Sequence, residues 1–394
     1  MSMVHTAFQQ KIQQTQSPRK LPLKPWQSSS FEIELQKLIT DLQSKGIRWI
    51  DSNLGVSGRK GGAGPSDHKA ISISGRTVMV PIYTDSVSRS PYSIQVEADS
   101  ETAILKYGGK AITTVSFPHQ PSFYHLQTAE GIPYWKIALL HSDDVLATTV
   151  LQTCMRYGDR ATSCQFCAIG QSLTAGKTIA RKTPEQLAEV AEAAVRLDGV
   201  KHMVMTTGTP NSEDRGAAYL AECARAIKLR VNLPLQAQCE PPHNYKWFQR
   251  MKEAGIDSLG MHLEAVDYSV RAKIMPGKAE VPVEEYFRAF QAAIAVFGWG
   301  QVSTYLLMGL GDSLETLVQT CDRLIQIGVY PFVVPFVPIS GTPLSHHPSP
   351  DSEFVYKVYQ QVGALLKQAG MRASDMKAGC GKCGACSALS TFER

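Results

Sequence analysis

The 394-residue sequence has no run of about 18 apolar residues, the length a bilayer-crossing helix needs, and its opening "MSMVHTAFQQKIQQTQ" lacks the apolar stretch of a secretory signal. A cytoplasmic protein with no membrane partner is therefore expected. Charge of one sign is missing too. Forty Lys and Arg face 35 Asp and Glu, and the resulting +5 is spread without blocks, too weak a bias to imply nucleic acid. There is no internal repeat. Cysteine is scarce, with nine residues. An odd number in a reducing compartment favours metal binding or catalysis over disulfides.

Residues 1–30 are polar and rich in Gln, Ser and Pro, which predicts a mobile leader. A small N-terminal α+β domain is expected over 31–144. In it "FEIELQKLITDLQSKGI" has helical apolar spacing up to Gly46, and "GRTVMVPIY", "YSIQVEA" and "AILKYG" read as strands. Its loop "GVSGRKGGAGPSDHK" offers Arg59, Lys60 and Lys69 to an anion, although a plain surface loop explains it equally. The aromatic-rich stretch 121–150 predicts a packed interface or a lid. From about 145 to 345 strand and helix patterns alternate. Thr183-Pro184 with Gln186 marks a helix start, and the strands "VKHMVMTTG", "LPLQAQC", "IDSLGMHLE", "QVSTYLLMG" and "VYPFVVPFV" are separated by amphipathic helices. This is α/β alternation with parallel strands, either a closed or partial barrel or a doubly wound sheet. Residues 346–394 hold a last amphipathic helix and a Cys-rich tail.

Three cysteines stand out in "TCMRYGDRATSCQFCAIG": Cys154, Cys164 and Cys167. Three thiolates under-fill a tetrahedral zinc site but suit a four-iron cluster that keeps one iron open for a ligand. Two residues separate Cys164 from Cys167, so one turn can present both sulfurs, while "LATTVLQTC" puts Cys154 at a strand's C-terminal end, where barrel chemistry occurs. A zinc knuckle pairing Cys164 and Cys167 with another Cys-x2-Cys is the alternative.

With Phe166 directly before the third cysteine, this stretch resembles the radical S-adenosylmethionine superfamily. It departs from the commonest spacing of that family by having nine residues in place of three between the first two cysteines. The resemblance runs over about 145–345 and implies a partial, TIM-like (β/α) barrel, a [4Fe-4S] cluster and S-adenosyl-L-methionine. Phe166 would then pack by the adenine. Thr207, Gly208 and Thr209 stand where the family meets the cofactor's amino group, His262 and Glu264 where it holds the ribose, and Arg271 where it meets the methionine carboxylate. Gly309 lies in the segment beside the adenine, and "VPFVPISGTPL" is similar to the family's last-strand segment. The layout is most similar to the biotin-synthase-related group, in particular the members found in nitrilase gene clusters, whose reaction is unassigned. The resemblance implies reductive cleavage of the cofactor, hydrogen abstraction from a small-molecule substrate, and an external electron donor such as flavodoxin or ferredoxin.

In the tail, "GCGKCGACSALS" places Cys380, Cys383 and Cys386 at intervals of three within a glycine-rich turn. A second iron–sulfur cluster is the preferred reading, with sulfur insertion or oxidative rearrangement as its uses. Zinc is the alternative and would need a fourth ligand, for which His346 and His347 are candidates if the tail folds back. The tail is expected to reach the barrel mouth by folding over the C-terminal strand ends. Cys223 and Cys321 read as core residues, and Cys239 as facing the mouth. The competing reading of the whole chain is a zinc-stabilised nucleic-acid-binding protein without catalysis.

Overall fold

The computed structural model describes residues 29–50, 68–95 and 101–393. The chain divides into two compact units, Met1–Leu35 and Gln36–Arg394. Of the first, only the opening turns of helix α1 (Ser29–Lys45) are described. The expected leader, apart from Ser29 and Ser30, lies outside the described residues, as does the Gly-rich loop with Arg59 and Lys60. Lys69 is described, and its ammonium sits 4.5 Å from the centre of the Trp49 ring.

In the second unit a six-stranded sheet comes first: β1 (Arg48–Trp49), β2 (His68–Ile73), β3 (Arg76–Pro81), β4 (Tyr92–Gln95), β5 (Thr102–Tyr107) and β6 (Lys110–Ser116), in spatial order β1-β4-β5-β6-β2-β3. Apart from the parallel β1–β4 pair it is antiparallel. Ile39 and Leu42 of α1 and Ile71, Val80, Ile94 and Leu105 of the strands are fully buried, as an amphipathic helix and half-buried strands require. The aromatic-rich segment that follows is an interface: Phe123 is buried, and the amides of Ser122 and Phe123 donate to the Asp198 carboxylate.

The second sheet has seven strands in the order β13-β12-β11-β10-β9-β8-β7. Short β7 (Leu139–Leu140) pairs antiparallel with β8 (Val145–Thr149). From there every pairing is parallel, through β9 (His202–Thr206), β10 (Leu235–Gln238), β11 (Ser258–Gly260), β12 (Val302–Met308) and β13 (Val329–Pro335). The order never reverses, whereas a doubly wound sheet must reverse at its switch point. The architecture is a partial TIM-like barrel. Its strands are buried on both faces, so they read as near-continuous apolar runs.

Helices α2 (Ile169–Thr174), α3 (Pro184–Asp198), α4 (Ala217–Arg230), α5 (Lys246–Glu253), α6 (Tyr268–Ile274), α7 (Pro276–Ala279), α8 (Val283–Phe297), α9 (Leu314–Gln326) and α10 (Ser352–Ala369) follow in chain order. At α3 the expected capping pair is present: Thr183 accepts from the Gln186 amide and Gln186 from the Thr183 amide, with Pro184 at the first position.

The tail does not go where the sequence suggested. It runs beneath the N-terminal ends of the barrel strands. Gln301, just before β12, donates to Asp375 O at 2.9 Å and accepts from Lys377 N at 2.9 Å. Ser258, first in β11, accepts from Ala378 N at 3.4 Å, and His202, first in β9, accepts from Gly379 N at 3.3 Å. The physical reason is α10. A helix of 18 residues rises about 27 Å at ~1.5 Å per residue, which returns the chain from the C-terminal to the N-terminal strand ends as each preceding crossover helix does. There the tail's backbone adds hydrogen bonds to the inward polar side chains at the strand starts. Gly379 turns with φ +119°, and a Cβ on it would collide with the Gln236 amide.

Candidate active site

The loop after β8 is strapped at several points. Met155 N donates to Thr209 O (2.8 Å), Gln165 N to Ile274 O (2.7 Å), and Gly277 N to Thr162 O (3.1 Å). Gly208 N donates to Leu151 O, and a Cβ at Gly208 would collide with the Thr153 carbonyl, so this glycine is required for close packing of the strand-end turn on the cysteine loop. Cys167 N donates to Cys164 O at 3.0 Å, forming the turn that presents both sulfurs. Phe166 packs against an apolar cluster of Ile274, Leu310 and Phe336.

Cys154, Cys164 and Cys167 line one end of a cavity of about 420 Å³. Phe166, Thr207, Gly208, Thr209, His262 and Glu264 line it as well. Cys239 does so too, as expected, while Cys223 and Cys321 are fully buried in α4 and α9. Burial, then the Glu264 carboxylate, pushes the Cys164 thiol well above its ordinary range, and burial pushes Cys167 up to about 11. These thiols are neutral by themselves and would give up protons on meeting a metal.

Two predicted residues do not reach this cavity. Arg271 is 1% exposed, and its guanidinium donates to four backbone carbonyls, Leu263 and Ala265 from Nη1 and Lys278 and Val281 from Nη2. It is spent on holding the α6–α7 segment, because a buried guanidinium must satisfy its donors with whatever acceptors surround it. Gly309 is not on the cavity wall. Its carbonyl lies 2.8 Å from His347 Nε2, and a Cβ there would press on Pro350. Nor does either paired histidine meet the tail cysteines: His346 is highly exposed and faces Asp85 at 3.7 Å.

Two cations that the sequence did not single out, Lys278 and Arg156, line the cavity. Lys278 is buried, lines the cavity, and donates to Glu264 Oε2 at 2.8 Å. Burial pulls its ammonium down, but Glu264 and other neighbours outweigh this and hold it above its usual value. Arg156 forks onto Glu240 with two 3.1 Å bonds, and Thr209 donates to the same carboxylate at 2.6 Å. Burial raises Glu240, but Lys278 and Arg156 hold it below the usual carboxylate range. Glu264 itself has a φ of +65°, left-handed for a non-glycine residue. His262 and Glu264 both line the cavity although β11 ends at Gly260, before either, and nothing periodic marks Lys278, which sits on short α7.

The other end of the cavity is lined by Cys380, Cys383 and Cys386. Cys380 and Cys383 span one helical turn, α11 (Cys380–Cys383), and Gly384 in the left-handed region brings Cys386 round. Burial raises the Cys380 thiol and takes Cys383 up to about 12. Gln238 donates to Cys380 Sγ at 3.2 Å, and Tyr305 stacks on His262 at 4.3 Å. His262 Nδ1 accepts from Tyr305 N at 3.3 Å, which leaves the proton on Nε2. That buried Nε2 has no hydrogen-bond partner and belongs to a side chain on the cavity wall. Burial lowers His262 to about 3, so the ring stays neutral.

Among the described residues no three Cys, His, Asp or Glu side chains are already drawn into a cage around an ion. The donor set at the strand C-termini nevertheless fits an iron–sulfur cluster, with three soft thiols from one loop on one wall and an orphaned polar atom beyond. The model of the Radical SAM superfamily matches residues 157–324. Residues 157–324 form a radical SAM domain. A domain of this family implies a [4Fe-4S] cluster and S-adenosylmethionine as cofactors. The match includes Cys164 and Cys167 and begins after Cys154.

Among curated proteins the radical SAM chain is similar to bacteriochlorophyllide c C-7(1)-hydroxylase of Chlorobaculum limnaeum, with 24% identity over 71% of this chain and 74% of that one. It is also similar to lipoyl synthase of Ectopseudomonas mendocina, with 25% identity over 42% of this chain. That second match spans 46% of the lipoyl synthase, under half its length. Among solved structures, methylornithine synthase matches with a TM-score of 0.45 and 16% identity over 69% of this chain and 78% of that one. Among the described residues no helix is long and apolar enough to cross a membrane.

Proposed function

We propose that this radical SAM protein is an enzyme that abstracts hydrogen from a small-molecule substrate held between two iron–sulfur centres, one on Cys154, Cys164 and Cys167 and an auxiliary one on Cys380, Cys383 and Cys386. One observation carries the reading: six thiols, three on the loop after β8 and three on the tail, line one cavity together with polar but uncharged Gln238, His262 and Tyr305. The arrangement also argues against a single zinc site shared by Cys164, Cys167, Cys380 and Cys383, since the loop and the tail attach at opposite strand ends.

When bound, the first cluster and S-adenosylmethionine supply reductive cleavage of the cofactor to methionine and a 5′-deoxyadenosyl radical, with one electron from a flavodoxin- or ferredoxin-type donor. The protein binds, orients and excludes water. His262 Nε2–H and Glu264 serve the ribose hydroxyls as donor and acceptor, Phe166 covers the adenine, and Thr207, Gly208 and Thr209 offer backbone groups to the amino end. Lys278 and Arg156 are the cations facing the cavity, so the methionine carboxylate takes its partner from them and not from Arg271. Cys380, Cys383 and Cys386 would hold the auxiliary centre, whose chemistry would be supply of sulfur or uptake of an electron. The relative named a hydroxylase works on a C–H position, in keeping with this reaction class. We read the chain as one of the biotin-synthase-related group, similar to the members found in nitrilase gene clusters.

The test is anaerobic reconstitution of two triple variants. Replacing Cys154, Cys164 and Cys167 by Ala abolishes 5′-deoxyadenosine formation after dithionite reduction. Replacing Cys380, Cys383 and Cys386 by Ala lowers bound iron while cofactor cleavage persists. Undiminished 5′-deoxyadenosine in the first variant, or unchanged iron in the second, overturns the reading.

A further inference from the structure

Three thiolates leave one position of a cluster or a tetrahedral metal unfilled, and the lower end of the cavity holds a side chain suited to it. His141 follows β7 in the hairpin to β8, and its backbone N donates to Val145 O at 2.8 Å, so the strand pair fixes its place. It is 8% exposed and lines the same cavity as the tail cysteines. Its Nε2 lies 3.4 Å from Cys386 Sγ. The next residue, Ser142, accepts from Cys383 Sγ at 3.6 Å, so consecutive hairpin positions face two of the three thiols. The sequence offers no hint of this pairing, since 245 positions separate His141 from Cys386.

We infer that His141 is the fourth protein ligand of the centre held by Cys380, Cys383 and Cys386, giving it a three-thiolate, one-imidazole set. The inference rests on the auxiliary centre proposed above. A neutral imidazole in place of a fourth thiolate removes one negative charge from a buried site, which lessens the desolvation cost and raises the reduction potential relative to an all-thiolate cluster. It also ties the β7–β8 hairpin to the tail through the metal, closing the lower end of the barrel where no covalent link exists.

The experiment uses the full chain carrying Cys154→Ala, Cys164→Ala and Cys167→Ala, so that only the tail can hold iron. The protein is labelled with 15N-histidine, reconstituted anaerobically with iron and sulfide, and reduced with dithionite. Pulsed electron paramagnetic resonance is expected to read the coupling of a directly bound imidazole nitrogen. His141→Cys is expected to keep the iron, lose that coupling and lower the potential. His68→Gln, which alters another histidine on the cavity wall, is expected to keep the coupling. Bound iron with no nitrogen coupling, coupling that survives His141→Cys, or coupling lost with His68→Gln overturns the role of His141 and leaves the auxiliary cluster standing. Absence of iron, or zinc in its place, overturns the cluster itself.

Discussion

Arg271 and Lys278 carry the same charge seven positions apart, and the fold spends them in opposite ways. Four backbone carbonyls take up the Arg271 guanidinium, whereas Lys278 faces a carboxylate across the cavity wall. Arg271→Met therefore strips donors from buried carbonyls at ~1–3 kcal/mol each. It is expected to lower stability in urea titration by several kcal/mol, while the fraction that remains folded binds S-adenosylmethionine with unchanged affinity in calorimetry; a selective loss of affinity would return Arg271 to the binding site. Glu264→Gln is different in kind. It leaves the buried Lys278 charge uncompensated, at a cost of about 3–5 kcal/mol. The double variant Glu264→Gln/Lys278→Met removes both charges and is expected to recover much of that stability, yet to bind the cofactor poorly. A double variant that loses the sum of what Glu264→Gln and Lys278→Met lose singly would show that the pair adds nothing beyond its separate side chains.

The tail illustrates at the level of the element how a backbone can be latched by side chains at strand starts, and the latch contains a titratable group. His202 Nδ1 accepts from Gly379 N, and burial lowers its pKa to about 4 from an ordinary 6.5. In the unfolded chain the ring binds its proton near 6.5, so between about pH 6.5 and 4 the unfolded state holds more protons. Stability then falls as pH drops through this window, by at most ~1.4 kcal/mol per pH unit, and levels off below about 4. His202→Asn keeps an acceptor without the titration, and its melting temperature is expected to vary less over the same window; an identical pH profile would exclude His202 as the group responsible. The elements themselves were largely legible. Apolar periodicity located the barrel strands and the longer helices but not short α2, α6 and α7, and the capping pair at Thr183 and Gln186 marked the start of α3 to the residue. The missed strands, β2 "HKAISI" and β6 "KAITTVS", have too little apolar alternation, since β6 is mostly exposed and holds its place through pairing with β5. The tail's destination was also illegible, because it depends on the length and direction of α10 and on partners scattered over four strand starts. The same cause hid Lys278 and His141: each acts through a contact set by tertiary packing, with no spacing signature of its own.

At the scale of the whole second unit, the tail is a plug between two sheets. Met79 N of β3 donates to Ala385 O at 2.7 Å, Ser387 Oγ donates to Val333 O of β13 at 2.6 Å, and Tyr330 of β13 bonds Glu393. Met371, Met376 and Leu389 are each no more than 2% exposed. Burying side chains of this size is worth ~1.5–3 kcal/mol each, so these three contribute on the order of 5–9 kcal/mol as an upper bound, against the roughly 5–15 kcal/mol that holds a typical domain together. Removing residues 371–394 is therefore expected to abolish a cooperative thermal transition in circular dichroism, because it opens the barrel's lower end to water and unpairs the strand-start side chains. Replacing only Cys380, Cys383 and Cys386 by Ala leaves those apolar anchors and backbone bonds in place, so that protein is expected to melt cooperatively at a lower temperature. The comparison separates packing from metal binding. If the truncated chain melts within a few degrees of the intact one, the plug is an accessory to the barrel, and the lower end of the cavity is sealed by the six-stranded sheet alone.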